Sequence, residues 1–387
     1  MRLRRSVVAG GVAAAVVIGG AAVAVAATSP ARAVSASHRC RHTCPTPSPQ
    51  PTPTVTPTAS GGASGIRVSA NHLINGAGTV VLRGVDRSGT EYACVQGWGL
   101  FDGPSDAASV QAIKSWGTNA VRVPLNEDCW LGINGVPAAF AGSNYITAIV
   151  NYVNLLNQNG LYAILDLHWS APGSTKATGQ QPMPDQDHSP AFWTSVASTF
   201  KGNPAVVFDL FNEPYPDNNG DTAAAWSCWK NGGTCSGVSY QVAGMQELVT
   251  TVRNAGAPNV IMLGGVQYSN ALDGWLANEP SDPRAQTAAS FHNYNFNACS
   301  STTCWNNVIA PLARSVPVIT GEFGENDTAG TFMTSWMSWA DSEGVSYLAW
   351  TWDTWGCSGG EVLITDYSGT PCQSDGTVYQ QHLLSLK

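Results

Sequence analysis

Two glutamates about a hundred residues apart carry the most reactive chemistry in this 387-residue chain: Glu213 in Phe208-Asp209-Leu210-Phe211-Asn212-Glu213-Pro214, and Glu322 in Val318-Ile319-Thr320-Gly321-Glu322-Phe323-Gly324. Each ends an apolar run. A hydrophobic run that stops at a polar residue beside Pro or Gly reads as a buried parallel strand whose last residue emerges at the carboxyl end, where barrel enzymes keep their chemistry. Pro214 keeps Glu213 out of the helical region, on an extended turn. Gly321 and Gly324 let backbone and ligand approach Glu322 closely. Breaking an acetal takes a proton donor on the leaving oxygen and a carboxylate against the developing oxocarbenium charge, and two such glutamates on different strands can converge on one acetal. Glu325 is a rival to Glu322, but it lies beyond the strand end.

Positioning these groups requires a scaffold of strands. Candidate strands recur at 80–85, 120–123, 162–167, 206–210, 260–263, 288–292, 316–320 and 346–350. Between them lie helix-like patterns such as 107–116, 146–158 and 242–254, several ending in Asn-Gly, Trp-Gly or Ala-Gly stops. Strand and helix alternating eight times over this length predicts an α/β fold, a (β/α)₈ TIM barrel, as a single catalytic domain over 66–387. Residues 66–74 should form a small hairpin or plug at the barrel bottom. The predicted strand ends then deliver Arg122, His168 with Trp169, Asn212 with Glu213, His292 with Tyr294, Glu322, and Trp350 with Trp352 and Asp353.

Composition narrows the ligand. Charged residues make up 11% of the chain and the net charge is −8, against roughly 25% charged in an ordinary soluble domain. Such a surface suits neutral hydroxylated ligands, and with no basic cluster it excludes nucleic acid as a partner. The amino terminus reads as export. Arg2, Arg4 and Arg5 precede an Ala/Val/Gly run, and Ala31-Arg32-Ala33 offers a cleavage site, so 1–33 is a secretory signal or, uncleaved, an anchor at the cell surface. Residues 34–65 form a Pro/Thr/Ser/Gly-rich linker with no module ahead of it. Outside the cytosol the ten cysteines read as disulfides. The close spacings Cys228/Cys235, Cys299/Cys304 and Cys357/Cys372 suggest loop staples, leaving Cys94/Cys129 and Cys40/Cys44, although spacing alone does not fix connectivity. No paired Cys-x-x-Cys or His-x-x-His module speaks for zinc.

Arg83-Gly84-Val85, Arg122, His168, Asn212-Glu213-Pro214, His292 with Tyr294, Glu322 and the tryptophan of the eighth strand together resemble glycoside hydrolase family 5 over 66–387. The resemblance implies Glu213 as acid/base after the fourth strand and Glu322 as nucleophile after the seventh, in a retaining double displacement. Glu322 should stay ionised if Arg122 and the Tyr294 hydroxyl sit beside it, and the neighbouring negative charge together with burial should raise Glu213, which falls again once Glu322 is glycosylated. Asn212 would donate to the sugar 2-hydroxyl. His168 and His292 would orient the sugar or the carboxylates, with Asp166 supporting Arg122. Indoles supply sugar platforms: Trp98, Trp130, Trp169, Trp275, Trp350, Trp352 and Trp355 fall in loops or strand ends, and either Trp350 or Trp352 would floor the cleavage subsite. One departure is Asp86, where the family often has Asn. The acidic stretch 183–188 would shape a subsite or bind an ion. The expected activity is that of an exported, monomeric endo-β-1,4-glucanase of cellulase type, needing no metal or cofactor and no protein partner. β-Mannanase, exo-acting β-glucosidase and a non-catalytic carbohydrate-binding barrel are the alternatives.

Overall fold

The computed structural model describes residues 62–359, 361–373 and 375–387, all within the unit Pro51–Lys387. The signal segment, nearly all of the linker and the Cys40/Cys44 pair lie outside the described residues.

Eight parallel strands close into a barrel: β1 (Arg83–Asp86), β2 (Ala120–Asn126), β3 (Tyr162–Trp169), β4 (Val206–Asp209), β5 (Ile261–Gly264), β6 (Thr287–Tyr294), β7 (Val318–Gly324) and β8 (Ser346–Ala349), with β8 pairing back onto β1. Nearly every residue of these strands is buried. That is why they read as unbroken apolar runs and not as alternating ones.

Strands β2, β3, β6 and β7 run two to four residues further than the apolar signal alone indicated. Polar residues that looked like terminators lie within them: Glu322 reaches Arg122, Tyr294 reaches Glu322, His168 reaches Asp166, and Asn126 donates to the Glu91 and Ala177 carbonyls. The first strand begins at Arg83 and not at Val80, which closes a three-stranded antiparallel sheet (Arg67–Ser69, His72–Asn75, Gly78–Val80). From this sheet and its lead-in, Leu73 and Ile66 pack against Leu82, Ile164, Met262 and Leu348 and plug the barrel floor. The plug was expected, but its third strand was not.

The surrounding helices include Ala107–Ser115, whose first turn is capped by Asp106 Oδ1 accepting from Ser109 N at 2.9 Å, Ser143–Gln158 and Met245–Asn254. Val242 was assigned to the last of these; it pairs instead with Gly233 in a short hairpin. The Cys228–Cys235, Cys299–Cys304, Cys357–Cys372 and Cys94–Cys129 bonds are all present. The last of these ties the segment after β1 to the one after β2, at the carboxyl end of the barrel.

Candidate active site

Arg122, on β2, lies at the centre of the barrel's carboxyl end with no solvent exposure. Its guanidinium makes four hydrogen bonds and one further ion pair: Nε donates to Asp209 Oδ2 (3.1 Å), Nη1 to Asp86 Oδ1 (3.0 Å) and Glu322 Oε1 (2.7 Å), and Nη2 to Asn212 Oδ1 (2.9 Å), while Asp166 Oδ2 lies 3.2 Å from Nη2. A single cation cannot hold four buried carboxylates ionised. Burial pushes Asp209 up to about 7 and raises Asp86 well above the usual range. Against the same burial, Arg122 and His168 hold Asp166 below it. The shift at Asp86 favours a neutral carboxyl, which shares the amide's capacity both to donate and to accept, and this accounts for an acid where the family pattern has Asn.

Glu322 is almost fully buried, and both of its oxygens are held. Oε1 takes the Arg122 bond and Oε2 accepts from the Tyr294 hydroxyl at 2.8 Å. Tyr294 is buried beside Glu322, and both effects raise its phenol, so it remains a donor. A bulge in β7 aims the glutamate. Phe291 pairs with Thr320 but His292 pairs with Glu322, so Gly321 is an extra residue. A Cβ at Gly321 would stand 2.9 Å from His292 Nε2 and 3.1 Å from Ser290 Oγ. Gly321→Ala should therefore displace His292 and lower kcat/KM by on the order of 10²-fold, the scale of a misplacement of about 1 Å, with little change in unfolding temperature. Steady-state kinetics beside a thermal melt will check this.

Glu213 follows β4 with a side chain 14% exposed. Its Oε1 lies 2.9 Å from His292 Nδ1, and its Oε2 accepts from Gln180 Nε2 at 2.6 Å. Burial lowers His292 to about 3, so the imidazole is neutral and its contact with Glu213 is a hydrogen bond, not an ion pair. Burial also raises Glu213, opposed by the Gln180 donor, His168 and Arg122. His168 itself is raised: burial works to lower it, but Asp166 Oδ2, 2.8 Å from its Nδ1, together with Glu91 and Glu322, prevails. One oxygen of Glu213, one of Glu322 and one His292 nitrogen lie within 4.8 Å of one another. Two carboxylates and an imidazole that close are a donor set that could hold a divalent cation.

The aromatic residues divide. Trp350 borders the cleft and stacks on His168, rings 11° from parallel and 5.5 Å apart. Trp352 is fully buried against Trp116, 4.8 Å away, so it belongs to the core and not to the sugar-facing surface. The alternation that made the two equivalent fails because β8 ends at Ala349. Trp130 and Trp275 are also core. Trp98 and Trp355 are each 51% exposed, and with Trp169 they surround Tyr92 at 5.7–6.2 Å.

The cleft over these groups measures about 360 Å³ and is also bordered by Glu361, from the long segment after β8. Burial raises Glu361, with further contributions from Glu322 and Glu213. Sequence reasoning missed both Gln180 and Glu361, which lie in loops without periodicity. Asp209 was legible as a polar residue inside an apolar run. Glu325 is not a rival: its carboxylate accepts from the backbone N–H groups of Gly330, Phe332 (3.0 Å) and Met333 (3.2 Å) at the start of helix Thr331–Glu343. In the acidic stretch, buried Asp185 shares the Ser189 hydroxyl with Glu127 and pins the loop, while Asp187 accepts from Gly173 N.

Residues 77–356 match the Cellulase family, glycosyl hydrolase family 5. A mannan endo-1,4-beta-mannosidase of Streptomyces lividans is 24% identical over 314 residues, 79% of this chain and 69% of that protein. Endoglucanase CelA of the same organism is 24% identical over 257 residues, 64% of this chain and 48% of that protein. Among solved structures, the beta-glucanase SdGluc5_26A of Saccharophagus degradans in complex with cellotetraose superposes with a TM-score of 0.64 at 21% identity, covering 86% of this chain and 98% of that one.

Proposed function

The chain belongs to glycosyl hydrolase family 5 and is a glycoside hydrolase acting on β-glycan, and from that premise we propose a retaining endo-β-1,4-glucanase with Glu213 as acid/base and Glu322 as nucleophile. The observation that carries this reading is the pair of carboxyls with oxygens within 4.8 Å, each held by a different set of partners. Retaining sites separate the two groups by roughly 5–5.5 Å and inverting ones by roughly 6.5–9.5 Å.

In the first step Glu213 protonates the glycosidic oxygen as Glu322 attacks the anomeric carbon from the opposite face. The leaving sugar departs, and a glycosyl ester forms on Glu322. In the second step Glu213 takes a proton from water, whose oxygen attacks the same carbon and expels Glu322, so the product keeps the β configuration. Burial, which raises Glu213, keeps it protonated for the first step. Esterification then removes the charge that offset Arg122, and this cation, already lowering Glu213, eases its ionisation for the second step. Asn212 Nδ2 is buried with no partner among the described residues and is a donor for the sugar 2-hydroxyl.

Trp350 is the proposed floor of the cleavage subsite. Trp350→Ala should lower kcat/KM on oligosaccharides about ten- to a hundredfold, matching the roughly 1.5–3 kcal/mol of a large apolar contact. Trp352→Phe should instead lower the melting temperature and leave KM near wild type. Kinetics and melts on the two variants separate the roles.

The glucan preference rests on the solved glucanases among the fold neighbours; the mannosidase relative, matching the longer stretch, supports β-mannan as a second reading. Reducing ends released from soluble β-glucan, mannan and xylan decide between them, and no release from any polymer would leave the binding-only barrel. Export is part of the proposal, supported by the charged start with its Ala/Val/Gly run and by four disulfides. Amino-terminal sequencing of protein from the culture medium tests it.

A further inference from the structure

Gln180 is the one group besides His292 that bonds to the Glu213 carboxyl among the described residues, at 2.6 Å. It comes from the loop between β3 and helix Ser189–Phe200, and that loop is held on both sides of it. Upstream, Ala177 N donates to Asp128 Oδ2 at 2.9 Å and Asn126 Nδ2 donates to Ala177 O at 2.8 Å. Downstream, Pro182 O accepts from Tyr215 N at 2.9 Å and Pro184 O from Ala243 N at 3.0 Å. The amide is thus presented to Glu213 by fixed backbone.

Glu213 must be an acid in one step and a carboxylate in the next. An ammonium at this position would hold it ionised, and a second carboxylate would hold it protonated. A primary amide is neutral and carries both donors and acceptors. We propose that Gln180 is a positioning residue that serves Glu213 in both protonation states, donating through Nε2 to the carboxylate and, after a half-turn of the amide, accepting through Oε1 from the carboxylic acid. The inference rests on the acid/base role of Glu213. The opposing action of Gln180 on the raised Glu213 agrees with it.

The test compares wild type, Gln180→Leu, Gln180→Glu and Glu213→Gln on two aryl β-cellobiosides. One carries a dinitrophenyl leaving group that needs no proton, the other a plain phenyl group that does. In Gln180→Leu, kcat/KM on the phenyl substrate should fall on the order of tenfold, part of the 10²–10⁴ that a general acid contributes, and that on the dinitrophenyl substrate should stay within about twofold. First-step activity is lost as pH rises through the Glu213 value. The bond to the ionised form is charge-assisted and the stronger of the two, so its loss should move this alkaline limb upward by about one pH unit. Gln180→Glu should move it further in the same direction. Equal losses on both substrates, or an unmoved limb in both Gln180 variants, overturns the inference. Glu213→Gln keeps the outcomes apart: if it shows no leaving-group dependence, the acid/base assignment fails, whereas dependence there without a response at Gln180 refutes the role of Gln180 alone.

Discussion

Replacing Glu322 by alanine is expected to lower hydrolysis by on the order of 10⁴-fold or more, the scale on which loss of a covalent nucleophile is felt. Azide should then restore turnover of an activated aryl glycoside as the α-glycosyl azide. The expectation follows from the two faces of the site. With the carboxylate gone, space opens beneath the anomeric carbon while Arg122 and Tyr294 still point into it, so a small anion enters from the nucleophile's side and the configuration inverts. Glu213→Ala, treated the same way, should yield the β-azide, because the anion then replaces water on the other face after Glu322 has reacted. Product stereochemistry by NMR reads both assignments. A β-azide from Glu322→Ala would mean that the two roles are exchanged.

The second large effect is at Arg122. Arg122→Met should cost about 3–5 kcal/mol, since removing one partner of a buried ionic cluster leaves the others uncompensated. Here Asp86, Asp166, Asp209 and Glu322 would all lose their shared cation. In a domain of this size the loss appears as a melting temperature lowered by on the order of 10 °C. Arg122→Lys isolates geometry from charge. An ammonium has three donors on a point charge, where the guanidinium fork satisfies four bonds and pairs with Asp166 besides, so this variant should recover part of the stability while kcat remains down on the order of 10²-fold. A thermal melt with steady-state kinetics distinguishes the two. Wild-type stability in the methionine variant would mean that the carboxyls are neutral without the cation.

Much of this was legible in the sequence because a closed parallel barrel buries both faces of its strands, so each strand appears as an apolar run with its chemistry at one end. Asn212-Glu213-Pro214 and Gly321-Glu322 announced themselves in that way, and the contacts of Arg122 and Tyr294 with Glu322, set out only as a condition, are present. What the sequence hid depends on local backbone. The bulge at Gly321 shifts β7 against β6 by one residue, and no composition signal marks it. The choice between Trp350 and Trp352 turned on where β8 stops, and Val242 looked helical because a two-residue strand is too short to show a period. Gln180 and Glu361 reach the cleft from loops whose paths are set by tertiary contacts alone.

Glu361 adds a third carboxyl to a cleft that already holds Glu213 and Glu322, and among the described residues the nearby guanidinium, that of Arg122, is occupied by partners of its own. For a polymer this works as a filter on substituents as well as on sugars. A chain bearing carboxymethyl or uronate groups finds, among these residues, no free cation to pair such a group beside the reacting bond, so cuts should be confined to unsubstituted stretches. On the proposed glucanase reading, digestion of carboxymethylcellulose should stop at fragments whose lengths record the spacing of the charges along the polymer, with unmodified glucose at the new reducing ends.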